Sequence, residues 1–588
     1  MAGPATTNGD CHVCDRFIPS ARLRHVSGER LRSLTGRSAF LELLEDEGVT
    51  HLFGNPGTTE LPIMDALVAH PDMRYVLGLQ ESIVVAMADG YSRASGRLCA
   101  CNVHVAPGLG NALGSLYNAA WYGSPLIVTA GQQQLGFGLT EPLLSGPLVA
   151  MATPLVKWAV EVTRLEDLPL IVRRAAKIAL TPPTGPVFIS LPGDILNDET
   201  RLALGQATRV ETTVLPTQKS LERLADRMLE ASNPVIVSGH EVATGDALDE
   251  AESLAELLGA PVYQQTVPYA THFRSEHPAF MGSLGRDQPR VRELLGPHDL
   301  MICLGADVLR MSVWHSVEPM PPGMKVIQIG QRDWEFGKNY PTQIALRADL
   351  RSTLRALAPV LGARRSSKRA EQAAARMAAL AEDNWSTRRT QLREQTLALP
   401  ESSPIQPQRI MLQIAETLPE DAIVVEEGLV SARSLLSFLA LRDTQGFFGL
   451  ASGGIGFAIA GAIGIQLAQP HRPLLAVIGD GSAMYSIQAL WTAAHLKLPI
   501  TYVICNNRSY RILKERLLAY KGMAATNQSF TGMEFHHPPI DFVALAQSMG
   551  VTARRITKLD AFVPALEQAL AHDGPDLLDV VVHDGFEA

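Results

Sequence analysis

The chain has 588 residues, of which 46% are hydrophobic and 19% charged, and its formal net charge is −9. This length predicts three or four domains, because domains average roughly 100–200 residues. The low charged fraction and the 47 glycines exclude a disordered chain or a long coiled coil, and the acidic balance disfavours general nucleic-acid binding. Six cysteines are too few for a disulfide framework, so we expect a cytoplasmic protein.

The N-terminal residues 1–35 mix arginines with acidic residues and contain no apolar core of a secretion signal. Cys11 and Cys14 have the spacing of half a zinc site, but no second pair follows them. We therefore expect residues 1–35 to be a flexible extension.

From Gly36 onwards, amphipathic helices alternate with apolar strands. Strands that alternate with helices of roughly 10–15 residues predict a parallel sheet with helices on both faces. We therefore predict an α/β domain over residues 36–200. Its expected helices are Ser38–Asp46, Leu61–Val68, Glu81–Ser95 and Asn111–Trp121, and its expected strands are Thr50–Gly54, Tyr75–Leu79, Leu98–His104, Leu126–Ala130 and Gly185–Pro192.

The same alternation continues in two further regions. Residues 216–362 predict a central α/β domain, and residues 363–404, rich in Ala, Arg and Glu, predict a linker helix. Residues 405–588 predict a third α/β domain, so the expected fold class is α/β with three doubly wound parallel sheets. The expected strands are Pro234–Ser238, Leu300–Leu304, Lys325–Ile329, Ala422–Val425, Leu474–Ile478 and Ile500–Cys505, and a helix is expected at Ala247–Leu258.

One stretch, Thr444–Pro470, carries no charge and is long enough to span a bilayer. It is rich in glycine, and small residues allow close backbone approach. A buried helix and turn beside a ligand therefore explain it better than a membrane span.

The strongest chemical signal lies in the third domain. The sequence GDGS at residues 479–482 ends one apolar strand, a helix is expected at Met484–Leu496, and Asn507 follows the next strand, 27 residues after Asp480. The carboxyl ends of both strands meet at one edge of the sheet, where ligands bind. Hard oxygen donors there suit Mg²⁺ or Ca²⁺ bridging a phosphate, and a helix N-terminus favours the anion.

This GDG…NN spacing resembles the thiamine-diphosphate-dependent enzymes. The resemblance implies that Asp480, Asn507 and the backbone carbonyl of Ser509 bind the metal ion, which anchors the diphosphate of the cofactor. It also names the three α/β domains in chain order as pyrimidine-binding, central and diphosphate-binding.

Glu81 begins an otherwise apolar helix, where a capping carboxylate is the simpler explanation. However, LQESIVVAMADGYSRASG resembles the glutamate segment of the family, which implies that Glu81 binds the aminopyrimidine ring and promotes its imino tautomer. In SGGIGFAIAGAIG the resemblance implies that Ile455 supports the bent cofactor and that the Gly453 carbonyl accepts from the aminopyrimidine amine. The expected cofactor-binding residues are Glu81, Gly453, Ile455, Gly479, Asp480, Gly481, Ser482 and Asn507.

Within the family, segments such as FGNPGTTELP, HVAPGLGNALG and GDGSAMYSIQALWTAA most resemble benzoylformate decarboxylases, and the similarity extends from about Gly36 to the C-terminus. It implies that His104 and His277 carry protons and that Thr58, at a position where serine is expected, binds the substrate carboxylate. A structural role remains the alternative for a lone histidine at a strand end.

Three departures concern the substrate and the diphosphate. Aromatic residues expected around a phenyl pocket are replaced near Gly449 and Arg516, and hydroxyl residues expected near Leu429 are missing. The basic segment 508–521 is either a solvated helix with Arg511 and Glu515 paired, or a site for an anionic substrate.

The resemblance implies decarboxylation of a benzoylformate-like 2-oxo acid to an aldehyde and carbon dioxide, with carboligation as a side activity. An acetolactate-synthase-like carboligating transferase is the alternative. A non-catalytic paralogue is the third hypothesis, against which the intact Glu81, Asp480 and Asn507 argue. The resemblance also implies a homodimer or homotetramer with each active site between two subunits, and we expect neither nucleic acid nor membrane as partner.

Overall fold

A computed structural model describes residues 31–312 and 314–585. Most of the predicted extension, including Cys11 and Cys14, lies outside the described residues. Its last residues, Arg32–Thr35, form a strand that pairs antiparallel with Glu199–Leu202. Regular structure therefore begins before Gly36.

Three six-stranded sheets, all parallel, confirm the predicted fold class. In spatial order, the first sheet contains Arg74–Leu77, His51–Gly54, Cys99–Val103, Leu126–Gln132, Val187–Pro192 and Ala159–Glu161. The central sheet contains Phe280–Ser283, Val262–Gln264, Pro234–Ser238, Leu300–Leu304, Lys325–Gly330 and Ile344–Arg347. The third sheet contains Phe447–Gly449, Ile423–Glu427, Leu474–Gly479, Ile500–Asn506, Asp576–Val581 and Thr552–Ile556.

Helices cover these sheets. Those of the first domain are Gly36–Asp46, Leu61–Ala66, Glu81–Ser95, Val105–Tyr122, Leu148–Ala152, Leu168–Leu180 and Gly193–Asn197. Those from there to the linker are Gln218–Glu230, His240–Thr244, Leu248–Leu258, Gln288–Leu295, Leu350–Arg364, Ser367–Glu382 and Trp385–Leu397. Those of the third domain are Pro407–Thr417, Leu435–Phe438, Ala458–Ala468, Asp480–Ala483, Ala489–His495, Arg511–Tyr520, Met523–Thr526, Phe542–Ser548 and Phe562–Leu570.

The helix Glu81–Ser95 has the bounds that its sequence predicts. The Gln80 side chain caps it by accepting from the Ser82 N–H, and Gly96 ends it in the left-handed region with φ of 66°. Nearly all of its residues are buried, because the helix lies between two sheets rather than at the surface.

The first and third domains share one core, in which the helices Glu81–Ser95 and Ala458–Ala468 pack together. A Cβ atom on Gly464 would lie 1.9 Å from the Met87 carbonyl oxygen, so only glycine permits this separation. The uncharged stretch is thus a strand, a loop and a buried helix. Among the described helices, none is long and apolar enough to cross a membrane.

Several elements differ from the sequence prediction. The linker contains two helices, Ser367–Glu382 and Trp385–Leu397, instead of one, because Asn384 caps a new helix and the Trp385 indole donates to the Leu436 carbonyl at 2.9 Å. The helix expected at Met484–Leu496 begins only at Ala489. The edge strands Ala159–Glu161 and Phe280–Ser283 are not among the predicted strands, since both are short and half-buried.

Candidate active site

At the carboxyl edge of the first sheet, Glu81 opens its helix with only 9% of its surface exposed. Asn111 donates through Nδ2 to Glu81 Oε2 at 3.1 Å. Gly108 faces the same carboxylate, and a Cβ there would lie 2.9 Å from Glu81 Oε1. The Gly108 N–H donates to the His104 carbonyl at 2.8 Å, so the residue that faces Glu81 lies one helical turn after His104.

His104 lies between the strand Cys99–Val103 and the helix Val105–Tyr122, and its ring contacts a buried carboxylate. His104 Nδ1 is 2.7 Å from Glu60 Oε2 and 3.2 Å from Thr59 Oγ1. Glu60 is 1% exposed and also accepts from the backbone N–H groups of Gly57 and Gly131, each at 2.9 Å. This arrangement fixes the ring of His104, and within the described residues no hydrogen bond to its Nε2 is found.

Thr58 is exposed at the same edge, in the 3₁₀ turn Thr58–Glu60. Its neighbour Thr59, and not Thr58, donates to Glu60 Oε1, at 2.7 Å. The role of Thr58 in binding the substrate carboxylate stays a prediction, which its exposed position allows.

The predicted metal ligands lie together at the carboxyl edge of the third sheet. Asp480 Oδ1 accepts from the Gly481 N–H at 2.8 Å, and Oδ2 accepts from the Arg508 N–H at 2.5 Å. Asn507 Oδ1 accepts from the Ser509 N–H at 2.9 Å. All three predicted ligands are buried, and Gly479 and Ser482 flank Asp480 at the start of the short helix Asp480–Ala483.

The chemistry of these donors fits a hard cation and a diphosphate. Burial raises the pKa of Asp480 to about 7, although backbone N–H groups that donate to the carboxylate oppose the shift. A bound divalent cation would supply the missing positive charge. Among the described residues, no cluster of three or more His, Cys, Asp or Glu side chains suited to a metal ion occurs. A metal ion here would therefore have the Asp480 carboxylate as its one charged protein ligand, with the Asn507 amide oxygen and the Ser509 carbonyl as the other candidates.

The loop Ser452–Gly456 carries Gly453, with φ of 85°, and Ile455, which packs against the shared core. Glu427 fixes its end, because Oε2 accepts from the Ala458 N–H at 2.6 Å and Oε1 from the Gly456 N–H at 2.5 Å. Asn118 Oδ1 fixes its start by accepting from the Ser452 N–H at 3.1 Å. The first and third domains thus both position the loop on which the thiamine is expected to lie.

His277 lies elsewhere. It precedes the strand Phe280–Ser283 and is therefore at the amino edge of the central sheet, opposite the ligand-binding edge. Its ring contacts Phe273, and its Nε2 is 3.4 Å from Glu256 Oε1. None of the contacts found for it in the described part of the chain is with another predicted site residue, so its proton-carrying role stays a prediction without support from this geometry. Three other histidines, His240, His272 and His315, follow the carboxyl ends of strands of the same sheet.

Three polar residues near the site are not predictable from the sequence pattern. Glu60 and Glu427 lie in turn and strand segments whose side-chain directions no local pattern reveals. Ser431 supplies a buried hydroxyl, with its Oγ 3.4 Å from Asn507 Nδ2, close to the positions near Leu429 where the expected hydroxyl residues are missing. The N–H groups of Gly428 and Leu429 instead donate to Glu426 Oε1.

Comparisons with known proteins agree with this geometry. Three family models match: the N-terminal TPP binding domain of thiamine pyrophosphate enzymes over residues 34–139, the central domain over 221–357 and the C-terminal TPP binding domain over 432–580. The chain is 34% identical to benzoylformate decarboxylase of Pseudomonas aeruginosa, over 93% of this chain and 98% of that protein. The chain belongs to the thiamine pyrophosphate enzyme family.

Other members of the thiamine pyrophosphate enzyme family are more distant. A putative acetolactate synthase large subunit of Mycobacterium tuberculosis is 28% identical over 93% of this chain and 99% of that protein. Among solved structures, a thiamine-diphosphate-dependent 4-hydroxybenzoylformate decarboxylase of Rhodococcus jostii is 32% identical, with a TM-score of 0.82 over 94% of this chain and 99% of that chain. Benzoylformate decarboxylase of Polynucleobacter necessarius is 29% identical, with the same TM-score and the same coverage of both chains.

Proposed function

We propose that this enzyme catalyses the thiamine-diphosphate-dependent, non-oxidative decarboxylation of a 2-oxo acid to an aldehyde and carbon dioxide. One observation carries the proposal: Glu81 faces Gly108, one helical turn after His104, and the ring of His104 is held by Glu60. A carboxylate and a fixed histidine at one ligand-binding edge suit repeated proton transfer. The decarboxylases among the similar proteins support the same reaction class.

The residues of the third domain provide the cofactor site. Asp480, Asn507 and the Ser509 carbonyl would hold Mg²⁺, or Ca²⁺, against the diphosphate, and Gly453 and Ile455 would contact the rings. Thiamine diphosphate, when bound, supplies an electron sink next to the carbonyl carbon of the substrate.

The side chains of the first domain do the remaining work. Glu81 exchanges a proton with the aminopyrimidine ring. His104, oriented by Glu60, delivers a proton to the reacting carbon and takes one from the product hydroxyl. The exposed Thr58 hydroxyl binds the substrate carboxylate.

A carboligating transferase is the second candidate. The acetolactate synthases among the relatives, 28% and 27% identical to this chain, favour it. It uses the same cofactor site, so only the reaction product separates the two activities.

We further infer that two subunits complete each active site. No hydrogen bond or ion pair within the described ranges joins Glu81 or His104 to Asp480 or Asn507. Large apolar side chains are also exposed between the strand Leu126–Gln132 and the helix Leu148–Ala152, which is unusual unless a second subunit covers them. They include Phe137, Leu139 and Leu143, at 52%, 98% and 84% exposure.

The test is product analysis with purified protein, thiamine diphosphate and Mg²⁺. Pyruvate, benzoylformate and aliphatic and anionic 2-oxo acids are each incubated with the enzyme, and carbon dioxide, aldehyde and hydroxyketone are measured. The proposal predicts equal amounts of aldehyde and carbon dioxide from at least one acid. Hydroxyketone as the main product would instead establish the carboligase.

A further inference from the structure

Four arginines converge beside the cofactor loops. Each follows the carboxyl end of a parallel strand, the edge at which α/β proteins bind ligands. Arg286 and Arg310 come from the central domain, after Phe280–Ser283 and Leu300–Leu304. Arg433 and Arg516 come from the third domain, after Ile423–Glu427 and Ile500–Asn506.

Direct contacts tie two of these arginines to the site. Arg310 Nη2 donates to the Ala451 carbonyl at 2.9 Å, next to the loop Ser452–Gly456, and its guanidinium lies 4.5 Å from the ring centroid of Trp121. Arg433 pairs with Glu515 at 2.7 Å, which connects the segment after Glu427 to the helix that carries Arg516. The cluster therefore contacts the residue before the loop Ser452–Gly456 and includes the segment after Glu427.

Arg286 and Arg516 differ from their neighbours. No hydrogen bond or ion pair of either side chain is found within the described part of the chain. Burial lowers the pKa of Arg286, and the positive charges of Arg516, Arg310 and Arg433 lower it further, against the opposing carboxylate of Glu426. Arg310 pairs with Asp307 at 3.4 Å and Arg433 with Glu515, whereas Arg286 and Arg516 have no such partner within the described residues, so these two like charges are suited to an anionic ligand.

The anion is not the carboxylate that leaves as carbon dioxide. Strong ion pairs to that group would stabilise the ground state and raise the barrier to its loss. A cationic cluster is useful only toward a second anionic group, which the product keeps. The residues at the two expected phenyl-pocket positions also favour an anionic substrate over a phenyl ring. Arg516 is charged, and Gly449 has no side chain and donates its N–H to the Tyr269 carbonyl at 3.0 Å.

We propose that Arg286 and Arg516 bind a second anionic group, a carboxylate, sulfonate or phosphonate, at the far end of the 2-oxo acid. Arg310 and Arg433 add positive charge around this site. This assignment rests on the proposed decarboxylase function and names its substrate class.

The test compares kcat/KM for matched pairs of 2-oxo acids with and without the second anion. The pairs are 2-oxoglutarate and 2-oxopentanoate, sulfopyruvate and 2-oxobutanoate, phosphonopyruvate and 2-oxobutanoate, and 4-carboxybenzoylformate and 4-methylbenzoylformate. The anionic member of at least one pair is expected to be preferred roughly tenfold or more, because hydrogen bonds to charged groups carry such factors. The pair that shows the preference identifies the anion.

The variants Arg286→Met and Arg516→Met are expected to lower that preference roughly tenfold to a hundredfold, mainly through KM of the anionic substrate. Arg364→Met is the matched control, because Arg364 pairs with Glu222 and Asp226 on the central-domain surface. Neutral acids decarboxylated as well as anionic ones, with an unchanged ratio in both variants, would overturn the assignment and leave the decarboxylase function standing.

If none of these acids is decarboxylated, the proposed function fails, and binding still tests the cluster. Calorimetry with the cofactor-loaded enzyme compares glutarate with pentanoate. Tighter binding of glutarate that Arg286→Met and Arg516→Met abolish supports the anion site. Equal binding of the two acids, or no effect of either variant, would refute it.

Discussion

Glu60 controls the histidine of the site through contacts on both of its oxygens. Oε2 contacts the His104 ring and the Gly57 N–H, while Oε1 accepts from Gly131 and Thr59. In Glu60→Gln, the amide NH₂ would face groups that are themselves donors. We predict that kcat falls roughly a hundredfold or more, since a misoriented acid–base group loses factors of about 10²–10⁴. Steady-state kinetics across a pH range measure this fall in kcat.

Glu45→Gln is the matched control, because Glu45 forms a comparable pair with His70, at 2.9 Å, away from the site. Its kcat is expected to match that of the parent enzyme. Cofactor affinity is measured for both variants, since Glu60 is assigned no contact with the cofactor. An unchanged kcat in Glu60→Gln would mean that His104 needs no orientation by this carboxylate.

At the residue scale, sequence patterns predict the site residues that follow strands or motifs. They miss residues in turns whose side chains point into the site. Glu81, His104, Asp480 and Asn507 stand at strand ends, where position alone implies an edge. Glu60 lies in a turn whose sequence is that of an ordinary loop. Its side chain points inward because it accepts from the N–H of Gly131, which is 71 residues away. His277 is a site residue by the sequence resemblance alone, and the strand that follows it is not predictable from the sequence.

At the element scale, the contact between the helices Glu81–Ser95 and Ala458–Ala468 connects two cofactor-binding domains. Gly464→Ala would place a methyl group 1.9 Å from the Met87 carbonyl oxygen, so the helices must separate. We predict a destabilisation of about 1–3 kcal/mol, typical of overpacked cores. Thermal and urea unfolding measure this change.

Gly362→Ala is the control for this prediction. Gly362 lies in the helix Leu350–Arg364, and no neighbouring heavy atom lies within 4 Å of the point that an alanine Cβ would occupy. Alanine there is expected to stabilise by about 0.5–1 kcal/mol through helix propensity. Equal effects of the two substitutions would show that the close helix contact does not limit stability.

The order of strands and helices is largely predictable, because apolar runs alternate with amphipathic ones throughout. Predicted boundaries fail where tertiary contacts override local preference. Met484 to Gln488 have helix-compatible residues, yet the chain turns there at the sheet edge before the helix Ala489–His495 begins. The strand Ala159–Glu161 has only three residues and depends on pairing with Val187–Pro192, which no local pattern shows.

At the scale of the whole molecule, buried acids connect stability to pH. Burial raises the pKa of Glu427 to about 8 from its ordinary value of 4.5, with the N–H groups of Gly456 and Ala458 opposing the shift. The folded protein therefore binds this proton more tightly than the unfolded chain does. The resulting stabilisation is fully present below about pH 4.5 and is lost as the pH rises through about 8.

We predict that the melting temperature of the cofactor-free protein falls between about pH 5 and pH 8, and that Glu427→Gln reduces this fall. The fall does not vanish, because burial also raises the pKa of Glu426, to about 7. Thermal melts at several pH values measure the fall of the melting temperature. Glu401→Gln, at an exposed position, is the control variant. A slope as steep in Glu427→Gln as in the parent protein would exclude Glu427 as its source.

The central claim is that Glu81 and a bound thiamine diphosphate act together in decarboxylation, and Glu81→Ala tests it most directly. The measurement is carbon dioxide release from the best 2-oxo acid at saturating cofactor and Mg²⁺. The exposed Glu166→Ala, which removes a weak surface pair with Arg164, serves as control. We predict a loss of roughly a hundredfold or more in Glu81→Ala and none in the control. Undiminished release from Glu81→Ala would contradict the account.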